Sequence, residues 1–227
     1  MTSPYTGPGL LYVGSRTKQS SGITEETYND WYDNVHIPHI LETSGVQTAA
    51  RHTVAPGTAD SLNWPFLAIY PIGDLHYLTT QEFADIPLVD NLLPGPSHSC
   101  VDCAEFDQRH YATVGEFQVG EVASETSEEL LVVHFNLPPG IARDDDADPA
   151  NVQEWYLHQL PQDVNQHVQI HRLILARRFS NDDPDKPPSY IALHRVHDKG
   201  GLQQHLAALR RISVNVSVYT LWKEFGP

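Results

Sequence analysis

Along the chain, the spacing of apolar positions changes in a fixed order. Residues 9–16 alternate apolar and small side chains, which predicts a strand. Thr24 stands where a helix cap belongs, and Tyr28, Trp31, Tyr32 and Val35 then fall at i, i+3, i+4 and i+7, a single helical face. Pro38 disfavours helical geometry at Ile37, so the helix is expected to stop there. Residues 46–55 and 65–72 predict strands, a short helix follows near 79–85, and 111–119 predicts another strand. The same order then returns, with strands at 130–137, 168–178, 189–196 and 214–225 and helices at 151–160 and 200–210. Leu202, Leu206 and Leu209 mark one face of the last helix.

The recurrence extends to individual residues. Leu10-Leu11-Tyr12-Val13 matches Leu130-Leu131-Val132-Val133, Trp31-Tyr32 matches Trp155-Tyr156, and Val46-Gln47 matches Val168-Gln169. Phe66-Leu67-Ala68-Ile69 matches Tyr190-Ile191-Ala192-Leu193, with Asp74 falling on Asp198. The order is kept while the offset drifts by only a few residues, as expected of a duplicated unit. Each half reads β-α-β-β-α-β, a ferredoxin-like unit. The boundaries expected are 1–122 and 123–227, joined by the acidic stretch Gly120 to Glu129. A ferredoxin-like sheet carries helices on one face only, so the other face needs a partner. The two halves packing sheet to sheet would enclose a barrel-like interior, an α+β fold. Residues 86–110 of the first half have no counterpart in the second. They form a long proline-rich insertion of the kind that serves as a lid or irregular cover.

Composition narrows the functions open to such a fold. The 227 residues carry a formal net charge of −15, which disfavours nucleic acid as a partner. Asp144-Asp145-Asp146 and Glu125, Glu128 and Glu129 read as solvated loop. No apolar run approaches the length needed to span a bilayer, and the first residues lack the pattern of a signal peptide, so a cytoplasmic protein is expected. Cys100 and Cys103 form a single C-x-x-C that reads as loop, with too few ligands nearby for a structural zinc site. Nucleotide-binding glycine loops, a G-x-S-x-G and an H-E-x-x-H are all absent. The histidine spacings fit no standard zinc pattern, although ligands scattered across strands stay open.

A strand, a helix bearing W-Y-x-x-x-H-x-P and a further strand resemble the dimeric α/β-barrel superfamily, and more narrowly EthD-type proteins and their fungal tandem relatives. The segment Gly9 to Arg51 carries most of the likeness, with Y-T-L-W-K-E-F-G near the end adding to it. The resemblance implies a barrel without cofactor whose interior holds a small, often aromatic or polyketide-like molecule. Its members include cyclases, dehydratases, decarboxylases, cofactor-independent oxygenases and haem-binding enzymes, and fold alone does not choose among them.

The duplication separates architecture from chemistry. The first half reads D-W-Y-D-N-V-H-I-P-H-I where the second reads E-W-Y-L-H-Q-L-P-Q-D-V. The aromatics and the proline recur and belong to the fold. His36 and His39 do not, which makes them the candidate catalytic residues together with Tyr32, one turn before His36. An imidazole supplies a proton acceptor near neutral pH and a phenol supplies a donor. Trp31, Arg51, His52, Tyr70, His134, Tyr156 and His194 are expected to line the substrate site. His134 and His194 are mid-strand histidines that could face the barrel interior, and Arg51 could meet an anionic or enolate oxygen. His171 ranks lower as a strand candidate. The expected function is cofactor-free acid/base chemistry (dehydration, decarboxylation or cyclisation) on a small aromatic or polyketide-type metabolite of secondary metabolism. The alternatives are a haem- or metal-dependent enzyme on the same barrel and a non-catalytic binding protein. The expected partner is a small-molecule substrate, with a homodimer also open.

Overall fold

The computed structural model describes residues 3–55, 64–119, 129–139, 141, 148–160, 166–178, 187–196 and 202–227. The first half contributes β1 (Gly9–Thr17), α1 (Glu25–Trp31), a π-helical turn (Tyr32–His36), α2 (Ile37–Leu41), β2 (Ala49–Val54) and β3 (Phe66–Ile72). A 3-10 turn (Leu75–Thr79), α3 (Gln81–Ala84), α4 (Cys100–Cys103) and β4 (Ala104–Val119) complete it. The second contributes β5 (Glu129–Phe135), α5 (Pro149–Leu157), β6 (Gln166–Arg178), β7 (Tyr190–Val196), α6 (Leu202–Leu209) and β8 (Asn215–Phe225). The acidic runs before Glu129 and at Asp144 to Asp146 lie outside the described residues.

All eight strands close into one antiparallel barrel in the order β1-β3-β2-β8-β5-β7-β6-β4. Within it the strands of the first half run β4-β1-β3-β2 and those of the second run β8-β5-β7-β6. Two seams join them, β2 with β8 and β4 with β6. Closure removes the free edges that an open sheet would present.

Strand alternation divides the core into three layers. Leu10, Tyr12, Leu67, Ile69, Tyr111, Leu130, Val132, Ile191, Leu193 and Tyr219 pack together inside the barrel. Their neighbours on the opposite faces form two outer cores. Leu11, Ala68, Tyr70 and Phe106 pack beneath α1 and α2 with Tyr28, Trp31 and Tyr32. Leu131, Val133, Phe135 and Ala192 pack with Val152, Tyr156 and Leu206 of α5 and α6.

One end of the barrel is plugged. A Cβ added to Gly14 would come within 2.6 Å of the Trp64 ring, so any side chain there would force Trp64 to shift. The Trp64 indole N–H donates to Asp107 at 3.2 Å, and Tyr219 donates its hydroxyl to the Trp64 carbonyl at 3.1 Å. Beneath the plug, Arg109 pairs with Asp107 at 2.6 Å, a buried charge held by a buried partner.

Several local expectations are corrected. Pro38 does not end the helix: Ile37 keeps helical angles (φ −61°, ψ −45°) and Pro38 sits in the first turn of α2. The Ile37 N–H reaches back five residues to the Tyr32 carbonyl, and this wider turn accommodates a proline that a regular helix would reject. β4 starts at Ala104, so the end of the insertion is strand. Cys100 and Cys103 lie on a short helical turn, not a loop, as buried free thiols.

Candidate functional site

The helix face that carries Trp31, Tyr32 and His36 is set by its cap and its π turn. The Thr24 hydroxyl accepts from the Thr27 N–H at 3.1 Å and fixes the start of α1. The π turn then places His36 over Trp31, five residues earlier. The two rings stack with centroids 4.9 Å apart and planes 19° from parallel. Tyr32 meets the same imidazole edge to face at 5.2 Å. A regular helix would align residues three and four apart, so the stacked pair is a product of the wider turn.

Beside these rings lies a cavity of about 200 Å³. Tyr32, His36 and Ile40 line it from the helix, and Leu11, Val13, Tyr70, Phe106 and Gln108 line it from the sheet. The insertion closes it with Ile86, Leu88, Cys100 and Val101, and Arg177 reaches it from β6. Tyr70 donates its hydroxyl to that of Tyr32 at 3.3 Å. The Arg51 guanidinium lies over the Tyr32 ring, 4.2 Å from its centroid.

The electrostatics fix the protonation states. Burial pushes the His36 imidazole down to about 4, opposed by a hydrogen bond to the Pro87 backbone and reinforced by His39 and Arg51. His36 is therefore neutral at neutral pH, and its Nδ1 is buried with no hydrogen-bond partner. Burial raises the phenols of Tyr32 and Tyr70, with Arg51 opposing in both, so both stay protonated. Burial also pushes the Cys100 thiol up to about 12, where it is inert as a nucleophile.

The remaining expected residues divide among four places. His39 keeps a buried, unpartnered Nδ1 but does not line this cavity. Arg51 faces the helices with both arms engaged: one donates to Asp33 at 2.7 Å, the other to Asn29 at 2.9 Å. Asp33 also accepts from the Trp222 indole at 3.0 Å, so Arg51 serves the helix–barrel junction and is not a free anion receptor. His134 lies inside the barrel, edge on to Tyr12 at 6.0 Å, and burial pushes it down to about 3. His52 shares that inner face, at the unplugged end of the barrel. His194 does not face the barrel interior. It shares the helix-covered face with Tyr190 and Ala192, bonded to the Tyr156 hydroxyl at 2.8 Å and to Gln166 at 2.7 Å, with His205 at 3.4 Å. Neither His134 nor His194 can oppose His36 across one substrate.

The Tyr156–His194 pair occupies in the second half the place of Tyr32–Tyr70 in the first, at the offset read from the sequence. Sequence reasoning missed Gln108, Arg177 and the insertion residues at the first cavity. Arg177 enters across the β4–β6 seam, where it pairs with Gln108, and no local pattern reveals a seam. Among the described residues, no cluster of three or more His, Cys, Asp or Glu side chains could hold a metal ion. A haem on these helix-covered faces would need a free imidazole nitrogen beside a cavity of macrocycle size. Both His194 nitrogens are engaged, and the cavity at His36 is smaller than the roughly 300–1,000 Å³ of sites for drug-sized ligands. These faces do not fit haem.

This architecture is shared with known proteins. A monooxygenase candidate of Fusobacterium nucleatum superposes over 98% of this chain and 95% of its own, with TM-score 0.50 and 9% identity. A chlorite dismutase candidate covers 96% of both chains, with TM-score 0.52 and 8% identity. These likenesses show the fold, that of the dimeric α/β-barrel proteins. In sequence, the chain is 38% identical over 77 residues to core atranone cluster protein 1 of Stachybotrys chlorohalonatus. That match spans 34% of this chain and 31% of the relative, less than a third of its length. No family model matches the chain. Among the described residues, no helix is long and apolar enough to cross a membrane.

Proposed function

We propose that this chain is an EthD-like tandem barrel that performs acid/base chemistry without cofactor on a small aromatic or polyketide-type metabolite in secondary metabolism. In this reading each half, divided near 122, is a ferredoxin-like unit, and only the first carries the reactive cavity. One observation carries it. Two features present in the first half and absent from the second, His36 and the insertion, meet at one cavity, where Pro87 bonds His36 and Leu88 completes the wall. The atranone-cluster relative supports the metabolic setting over the part it matches.

The neutral His36 takes a proton from a carbon or oxygen of the bound molecule. A phenol of the Tyr32–Tyr70 pair donates a hydrogen bond to the oxygen on which charge develops. Arg177 and Gln108 hold a polar or anionic substituent at the entrance, while Leu11, Ile40, Phe83 and Phe106 enclose the ring. The small volume favours a compact ring over an extended chain. The test begins with mass spectrometry of the small molecule that copurifies, followed by turnover measurements on it. His36→Ala is expected to lose about 10²- to 10⁴-fold in kcat, the usual range for a positioned acid or base. Wild-type turnover in both His36→Ala and His39→Ala would overturn the assignment, and retention of the molecule without conversion would make the chain a binding protein.

A further inference from the structure

The two ends of the barrel differ. Trp64 plugs one, while the other opens into a second cavity of about 590 Å³ on the inner face of the sheet. Its apolar wall comes from Leu10, Ile69, Ile72, Leu130 and Leu193. Three nitrogen-bearing side chains line it, and two of them keep a ring nitrogen without a hydrogen-bond partner. His52 is 5% exposed and its Nδ1 is buried without a partner. His171 is 4% exposed; its Nδ1 meets the Thr113 hydroxyl at 3.3 Å and its Nε2 has no partner. Arg195 is exposed at the rim, close enough that its charge acts on His52, and it forms no ion pair among the described residues.

Buried polar atoms in folded proteins are nearly always satisfied, so two unpartnered imidazole nitrogens around one cavity point to a ligand that supplies the missing partner. A guanidinium beside them that forms no ion pair among the described residues, in a chain of net charge −15, points to an anionic ligand. Two carboxylates share the rim. Glu116 is hydrogen-bonded to His167 at 2.6 Å, and Glu224 faces the opening from β8. Two carboxylates at the rim disfavour a ligand of more than one negative charge.

We propose that the open end of the barrel is a binding site for a small, mostly apolar monocarboxylate, separate from the cavity at His36. Its carboxylate pairs with Arg195 and takes a hydrogen bond from His52 or His171, while its apolar body enters the barrel against Leu10, Ile69, Leu130 and Leu193. The two cavities lie on opposite faces of the sheet, so binding at the mouth does not depend on the chemistry proposed for His36.

The experiment is calorimetric titration of the full chain with benzoate, 2-naphthoate and octanoate at pH 7, with 2-naphthamide as the neutral control. Binding of at least one acid and none of the amide is expected. Arg195→Gln, an exposed substitution, is expected to weaken binding roughly 10- to 100-fold, the range for loss of a charged hydrogen-bonding partner. Arg210→Gln, at an exposed arginine that lines neither cavity, is expected to leave it unchanged. Equal binding of acid and amide, no binding at millimolar acid, or loss of binding in Arg210→Gln with retention in Arg195→Gln would each overturn the proposal. Failure here leaves the His36 reading standing, since that rests on turnover of a different molecule.

Discussion

Lowering the pH from 7 to 5 should unfold this protein far more readily than its acidic composition suggests, because several histidines are buried neutral. Burial holds His52 and His171 near 4 and His134 near 3, with nearby arginines pushing His52 and His134 the same way. In the unfolded chain these rings titrate near 6.5. The folded values are depressed, so their stabilising contribution is complete above about pH 6.5 and is lost as pH falls towards 4. Over that interval the unfolded chain binds more protons than the folded one. At pH 5 each unfolded ring is almost fully protonated while each folded one is not, which removes about 2 kcal/mol per residue. The three together give about 6 kcal/mol at most, and about 3 if the native state relaxes and admits water. Either figure is a large share of the roughly 5–15 kcal/mol by which domains are stable. Urea unfolding followed by circular dichroism should show the midpoint falling by about 1–2 M between pH 7 and pH 5. His134→Gln, which cannot titrate, should lessen that dependence by one ring's share, about 2 kcal/mol, whatever it does to stability at pH 7. Equal midpoints at the two pH values, or an unchanged slope in His134→Gln, would refute the neutral burial of these rings.

Other consequences are as direct. Asp33→Asn leaves the Arg51 guanidinium buried without its carboxylate and should destabilise the fold by about 3–5 kcal/mol in chemical denaturation, far more than an exposed pair would. Turnover on the identified substrate should stay flat from pH 7 to about 5 and fall as His36 protonates near 4, visible in kcat measured above and below that point. Tyr32→Phe should lower kcat about 10- to 1,000-fold while leaving KM within a few-fold, because Tyr70 donates to Tyr32 and leaves the Tyr32 proton free for the developing charge. Replacing Leu88 with Asp puts a charge into the wall of the His36 cavity and should weaken substrate binding with little change in melting temperature, since Leu88 is 42% exposed.

Much of the fold was legible because its periodicities are simple and appear twice. Strand alternation located seven of the eight strands closely, and the Tyr28–Trp31–Tyr32 stripe located the buried face of α1. The sequence comparison of the two halves also paired Tyr32 with Tyr156 and Tyr70 with His194, which occupy matching places. What could not be read locally was the π turn: a proline rule written for regular helices ends the helix at Ile37, whereas one extra residue per turn carries it through Pro38. The side of the sheet on which each histidine falls was also hidden. His134 and His194 both sit mid-strand among apolar neighbours, and only the closed barrel decides that one faces inward and the other faces the helices. Arg177 reaches the first cavity across a seam between halves, a contact with no trace in local spacing.

The central claim is that the reactive site lies in the first half, between helix and sheet, and not in the barrel or the second half. A crystal structure of the protein with its copurifying metabolite tests it most directly. The account predicts ligand density against His36, Tyr32 and Tyr70, enclosed by Leu88. Density confined to the Tyr156–His194 pair, or a fully occupied metabolite nowhere near His36, would contradict it.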